Sequence, residues 1–277
     1  MGLYDRDYYR NDPRNPRNPR SPRNPRQPGG FSEWDQPPGG RRRLGGMSMW
    51  TINTWIIAIN VAVFVIDRLL IQSGIAYKIG EQIFRLPDGR TLVRTMVMGP
   101  LEHFGYFSAD TAITQVQMWR FLSFQFLHAN MSHIFFNMLA LYFFGPLIEQ
   151  YLGSKRYLAF YLLCGVVGPI AYLMFWGTGI LVTSADAPMI GASAGVYGVL
   201  IATATIAPNA MVMLLFPPIP MKLKTLAWVF IGLAVFVVLT GGRNAGGEAA
   251  HLGGALAGWY LIRHVHLLNV FAPSRRR

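Results

Sequence analysis

The run Gly191-Ala192-Ser193-Ala194-Gly195-Val196-Tyr197-Gly198 opens a long apolar stretch. It has the form Gly-x-Ser-x-Gly, yet no soluble α/β pattern surrounds it. Small residues at this spacing in an apolar helix let a second helix approach closely, and packing alone accounts for them. They also leave the Ser193 hydroxyl accessible. A serine becomes a nucleophile only with a base and oxyanion donors nearby. Other apolar runs of the chain offer both. His251 lies in Ala250-His251-Leu252-Gly253-Gly254-Ala255-Leu256-Ala257-Gly258, and His133 and Asn137 lie in His133-Ile134-Phe135-Phe136-Asn137.

Composition sets the class. Hydrophobic residues make up 52% of 277, and the mean hydropathy is +0.29. Several apolar runs reach the ~20 residues that a membrane helix needs. The formal charge is +12, and ten arginines against five acidic residues in positions 1–46 supply +5 of it. Topology explains this excess better than nucleic acid does, and no nucleic-acid partner is expected. The single cysteine, Cys164, excludes an intrachain disulfide and a cysteine-based metal cluster.

Residues 1–46 repeat a triplet: Asn15-Pro16-Arg17, Asn18-Pro19-Arg20, Ser21-Pro22-Arg23, Asn24-Pro25-Arg26. Proline at every third place forbids a helix and favours solvated, extended backbone. A disordered cytoplasmic tail is expected, with anionic lipid or nucleic acid as the sharper alternative. No apolar segment follows a short basic start, so a signal peptide is not expected. The remainder reads as one six-span domain, 47–270, closed by a basic terminus, 271–277. Span one is Trp50 to Ile71, with Asp67 and Arg68 near the interface at its far end. A long external loop, 72–118, follows. Glu81 to Leu86 and Arg90 to Met96 flank Pro87-Asp88-Gly89, a good hairpin turn. Phe104 to Asn130 reads as interfacial, because Trp119-Arg120 suits the headgroup region. Spans two to six are Ser132–Gly153, Tyr157–Thr178, Gly191 to before Pro208, Thr225–Thr240 and Glu248–His266.

With six spans both tails face one side. That side receives the tail arginines, Lys155 with Arg156, Lys222 with Lys224, and Arg275-Arg276-Arg277. The positive-inside rule then places both termini in the cytoplasm. Spans two, four and six all start outside, so His133, Ser193 and His251 fall in the first turns of their helices at one face. Polar groups at one depth in three spans imply a water-accessible cavity.

The chemistry divides among these residues. Ser193 would attack a carbonyl carbon while His251 takes its proton, and water would hydrolyse the acyl-enzyme. Asn137 and His133 share a helical face and can donate to the oxyanion, as can the Ser193 N–H in a first helical turn. No His-Glu-x-x-His is present, and Asn137 is a poor third ligand beside His128 and His133, so neither metal nor other cofactor is expected. Glu248, three residues before His251, can share its side of the helix and is a candidate third catalytic member. Its plain reading is a first-turn acid that complements the helix dipole.

Together these residues resemble the rhomboid family of intramembrane serine proteases, over roughly Met98 to His266. The matching pieces are Trp119-Arg120, Phe126-Leu127-His128, His133-x-x-x-Asn137, Gly145 with Glu149, Gly191-x-Ser193, and Ala250-His251-x-x-Gly254-x-x-x-Gly258. The resemblance implies an all-α membrane protein, a six-transmembrane-helix bundle. It implies a Ser193–His251 dyad, with an oxyanion hole from His133, Asn137 and the Ser193 backbone. Tyr197 looks like the aromatic that packs on the catalytic histidine, and Gly254 and Gly258 would let spans four and six approach closely. One departure stands out. The family usually has glycine directly after the nucleophile, and here Ala194 stands there.

The function expected is therefore serine endopeptidase action on transmembrane or membrane-adjacent segments of other proteins, in a multi-pass protein of a bacterial inner membrane. The alternative is a catalytically impaired relative that binds membrane-protein clients. Such relatives typically lack the serine or the histidine, and this chain keeps both. A transporter would need related halves with broken helices, and no internal repeat of that kind exists.

Overall fold

The computed structural model describes residues 50–85, 91–214 and 218–271. The chain divides into two units, Met1–Met47 and Ser48–Arg277, and every described residue belongs to the second. The expectations for the tail 1–46, the turn Pro87-Asp88-Gly89 and the terminus 272–277 lie outside the described residues.

Among the described residues six helices of fourteen residues or more form the bundle: α1 (Ile52–Gln72), α4 (Met131–Leu152), α5 (Ser154–Gly177), α6 (Ser193–Ile206), α7 (Leu223–Thr240) and α8 (Ala245–Arg263). The short helices α2 (Pro100–Gly105) and α3 (Arg120–Ser123) lie in the segment between α1 and α4. Among the described residues four helices, α1, α4, α5 and α7, are long and apolar enough to cross a membrane. The other two fall outside that measure of length and apolarity for physical reasons. At a rise of ~1.5 Å per residue, 14-residue α6 is about 21 Å long, short of a ~30 Å hydrocarbon core. Helix α8 carries Glu248, His251 and Arg263. Both are packed inside the bundle: α6 against α4, α5, α7 and α8, and α8 against α5, α6 and α7.

Polar residues lock the first helix. Glu149, near the end of α4, accepts hydrogen bonds from the Ile52 and Asn53 N–H groups, each at 2.9 Å, and from Ser154 Oγ at 2.7 Å. A carboxylate thus satisfies two of the free N–H groups that open α1 and complements its dipole. Asn53 sits in the notch left by Gly145, donates to the Leu141 carbonyl at 3.0 Å and accepts from Tyr157 Oη at 2.6 Å. At its other end Asp67 is buried. It accepts from the Leu101 N–H at 2.8 Å and so caps α2, while Arg68 pairs with Glu102 at 3.4 Å. Asp67 turns inward, because the first turn of α2 presents unpaired N–H groups to it.

Strands β1 (Tyr77–Arg85) and β2 (Thr91–Met98) pair antiparallel, with a bulge between Lys78 and Gly80. The hairpin is longer than Asp-Gly and its flanks suggest: β1 begins four residues before Glu81. A second hairpin, β3 (Met211–Met213) with β4 (Pro220–Lys222), links α6 to α7. Arg120 is buried within the protein, at 6% exposure. Its guanidinium donates to the carbonyls of His103 at 3.1 Å and Tyr106 at 2.6 Å, and to the Gln117 amide oxygen. Carbonyls left over at the end of α2 supply that demand.

The core has two main parts. Tyr157, Phe160, Tyr161 and Cys164 of α5 pack with Leu141 and Ile148 of α4, Ile56 of α1 and Val199 of α6. Phe107 and Phe124 of the external segment pack on Tyr172, Val238 and Ala249. This second part holds the segment before α4 down on the helix ends and shapes the rim of the site.

Candidate active site

The approach to Ser193 is set by glycine. Gly191 has φ +135°, a region that L side chains rarely adopt, and its N–H donates to the Phe124 carbonyl at 3.0 Å. A Cβ there would stand 2.8 Å from the ring of His133 and 3.4 Å from Ser193 Oγ. His133 of α4 and Ser193 of α6 therefore flank the same glycine. Ser193 is the first residue of α6, so its N–H belongs to the turn that lacks helical acceptors.

Helix α8 brings His251 to the serine. Nε2 of His251 lies 2.6 Å from Ser193 Oγ. The imidazole stacks on Tyr197, with ring centroids 4.3 Å apart and planes at 14°, and Phe230 of α7 meets the edge of Tyr197 at 5.8 Å. The close approach of α6 and α8 depends on small residues. A Cβ on Gly254 would lie 2.0 Å from the Ala194 carbonyl oxygen, and one on Gly258 would lie 2.4 Å from that of Gly198. The methyl of Ala194 finds room at Gly168 of α5, where a Cβ would be 2.7 Å from it. Ala194 is thus matched by a glycine on the neighbouring helix.

Asn137 donates to the His133 carbonyl at 2.8 Å, which leaves its second amide hydrogen uncommitted. His133, Asn137, Ser193, Tyr197 and His251 all line one cavity of about 1720 Å³. Apolar residues of α4, α6 and α7, among them Phe144, Leu200 and Phe230, form the rest of its wall. The arrangement offers a hydroxyl in contact with a base, nearby amide and imidazole donors, and a largely apolar chamber beside them. Phe230, Gly168 and the Phe124 carbonyl give no local sequence signal, since nothing near them marks a polar site. Among the described residues no group of three or more His, Cys, Asp or Glu side chains could hold a metal ion.

His128 stands just behind this site, outside the long helices. It is 3% exposed, its ring meets His133 edge-on at 5.0 Å, and neither ring nitrogen has a hydrogen-bond partner in the structure. Burial, with the nearby His133, drives its pKa from 6.5 down to about 3. The sign follows. The unfolded chain binds a proton near pH 6.5 that the folded one refuses until about pH 3, so stability falls as pH drops through that window. At pH 5 the loss is about 2 kcal/mol. Thermal unfolding of detergent-solubilised protein is expected to show a lower Tm at pH 5 than at pH 7.5. His128→Gln is expected to flatten that slope.

A membrane bundle with a serine at a helix start, held against a histidine of the next helix over an apolar chamber, defines a class of polytopic protein built around an interior Ser–His pair. The model of the rhomboid domain matches residues 115–267, more than half of the chain, and the chain belongs to the rhomboid family. It is similar to Rhomboid protease GluP of Bacillus subtilis (strain 168), at 29% identity over 167 residues, 60% of this chain and 30% of that protein. It is also similar to the mitochondrial presenilin-associated rhomboid-like protein A of Danio rerio, at 31% identity over 187 residues, 61% of this chain and 47% of that protein. Inactive RHOMBOID-like protein 8 of Arabidopsis thaliana is 31% identical over 90 residues, 31% of this chain and 26% of that protein. The chain thus spans between a quarter and a half of the length of these relatives.

Proposed function

We propose that this protein is an intramembrane serine endopeptidase that cuts peptide bonds in or beside transmembrane segments of other membrane proteins. The observation that carries the reading is the 2.6 Å contact between Ser193 Oγ and His251 Nε2 on the wall of the cavity. Residues 47–270 form the protease domain, with both termini cytoplasmic and the six helices threading the membrane in turn. The bilayer delivers the substrate, whose helix must unwind locally to present a scissile carbonyl.

In the first step Ser193 Oγ attacks the carbonyl carbon and its proton passes to His251 Nε2. The carbonyl π electrons move onto oxygen. Asn137, His133 and the Ser193 N–H supply donors for that charge. Collapse expels the amine, which takes the proton from His251 and leaves an acyl-Ser193 ester. Water, deprotonated by His251, attacks the ester and frees the second product. One oxyanion donor typically lowers the barrier by ~3 kcal/mol. Asn137→Ala is therefore expected to reduce kcat about 100-fold with little change in KM, measured on a transmembrane substrate in proteoliposomes.

The direct test uses a fluorophosphonate probe on detergent-purified protein. Attack by Ser193 on phosphorus expels fluoride and leaves a covalent adduct. Labelling of the wild type and none of Ser193→Ala is expected. Folded wild type that takes no label would sink the protease reading in favour of a client-binding relative.

A further inference from the structure

The Ser–His pair leaves one ring nitrogen of His251 to be accounted for. Nδ1 of His251 lies 2.9 Å from Glu248 Oε2, one turn back on α8. The two side chains are 12% and 20% exposed, and Glu248 is absent from the cavity wall that His251 lines. The carboxylate stands behind the imidazole, off the cavity wall. The other groups on the ring come from other helices: Ser193 at Nε2 and the stacked Tyr197 from α6, with His133 of α4 within electrostatic range. None of these meets Nδ1.

An ionised carboxylate only accepts hydrogen bonds. With Glu248 as a carboxylate, the 2.9 Å contact places the proton on Nδ1 and leaves the Nε2 lone pair facing Ser193 Oγ. That is the one neutral tautomer able to take the serine proton. We propose that Glu248 is a positioning residue that completes a Ser193–His251–Glu248 triad. It fixes the tautomer and balances the charge of the imidazolium formed when Oγ loses its proton. This deepens the protease reading and rests on it. A first-turn acid that merely complements the α8 dipole would do neither, since the dipole acts on stability and not on ring tautomer.

The test compares Glu248→Gln, which keeps shape and removes charge, with Glu248→Ala, which removes both, and Glu248→Asp, which keeps the charge. Kinetics on a transmembrane substrate and 15N spectra of histidine-labelled protein are read together, with the His251 signal assigned by its loss in His251→Ala. Expected are a 10- to 100-fold fall in kcat for Glu248→Gln with KM within twofold, a larger fall for Glu248→Ala, and partial recovery in Glu248→Asp. The His251 Nδ1–H signature is expected to give way to a tautomer mixture in Glu248→Ala. A kcat within twofold of wild type in folded Glu248→Gln and Glu248→Ala would overturn the proposal. If Glu248→Ala fails to fold, the Gln and Asp pair decides by the same kcat criterion. Should wild type itself take no fluorophosphonate, the protease reading falls alone. The spectra then decide the placement, and an unchanged Nδ1–H signal in Glu248→Ala overturns that too.

Discussion

Ser193→Ala and His251→Ala are each expected to lower turnover by at least about 10⁴-fold, and the double variant by no more than either single one. The reason lies in the shared proton. With Oγ removed, His251 has no hydroxyl to activate. With the imidazole removed, Ser193 keeps its proton and attacks as a weak alcohol. Each substitution therefore removes the same step, and the losses do not add. What survives comes from groups that neither change touches, chiefly the donors at His133 and Asn137. Product formation from a fluorogenic transmembrane substrate in proteoliposomes measures this. Additive losses in the double variant would show that Ser193 and His251 act separately, and the 2.6 Å contact would then not be the catalytic one. Thermal unfolding serves as the control. Both side chains are small parts of the cavity wall, so Tm is expected to move by only a few degrees.

Hydropathy made the long helices legible, because a run of ~20 apolar residues has few other homes. The serine and the histidines were legible too, as polar residues in corresponding turns of three helices. Hydropathy reports how apolar a run is and not where its helix begins and ends, so the fourth span reads longer than the 14-residue α6. The backbone partners of Asp67 and Arg120 were not legible in hydropathy either. A charged residue near a helix end suits headgroups and unpaired backbone groups equally, and only tertiary structure shows that α2 supplies the latter. The i, i+3 spacing of Glu248 and His251 was visible in the sequence. Whether Nδ1 meets the carboxylate depends on ring orientation, which Tyr197 and Ser193 fix from another helix.

The second large effect is expected at Gly254. A Cβ there would fall 2.0 Å from the Ala194 carbonyl oxygen, against the backbone of α6 and not a side chain that could swing aside. A carbon–oxygen contact needs more than 3 Å, so α8 and α6 must separate by about 1 Å. Gly258 lies one turn further on against the backbone at Gly198, so the whole seam opens with it. Overpacking of this kind costs about 1–3 kcal/mol where side chains can yield, and more against rigid backbone. Ser193 directly precedes Ala194, and His251 lies three residues before Gly254, so the strain falls on the Ser193–His251 contact. A misplacement of 1 Å between reacting groups is worth about 100-fold in rate. Gly254→Ala is expected to lower Tm by several degrees and kcat by about that factor, and Gly254→Val to prevent stable folding. Gly232 on α7 is the matched control: a Cβ there meets nothing within 4 Å. Gly232→Ala is expected to leave activity intact and to add up to about 1 kcal/mol of helix stability. Equal behaviour of the two alanine variants, in differential scanning fluorimetry and in proteoliposome turnover, would refute the close seam between α6 and α8 on which the site depends.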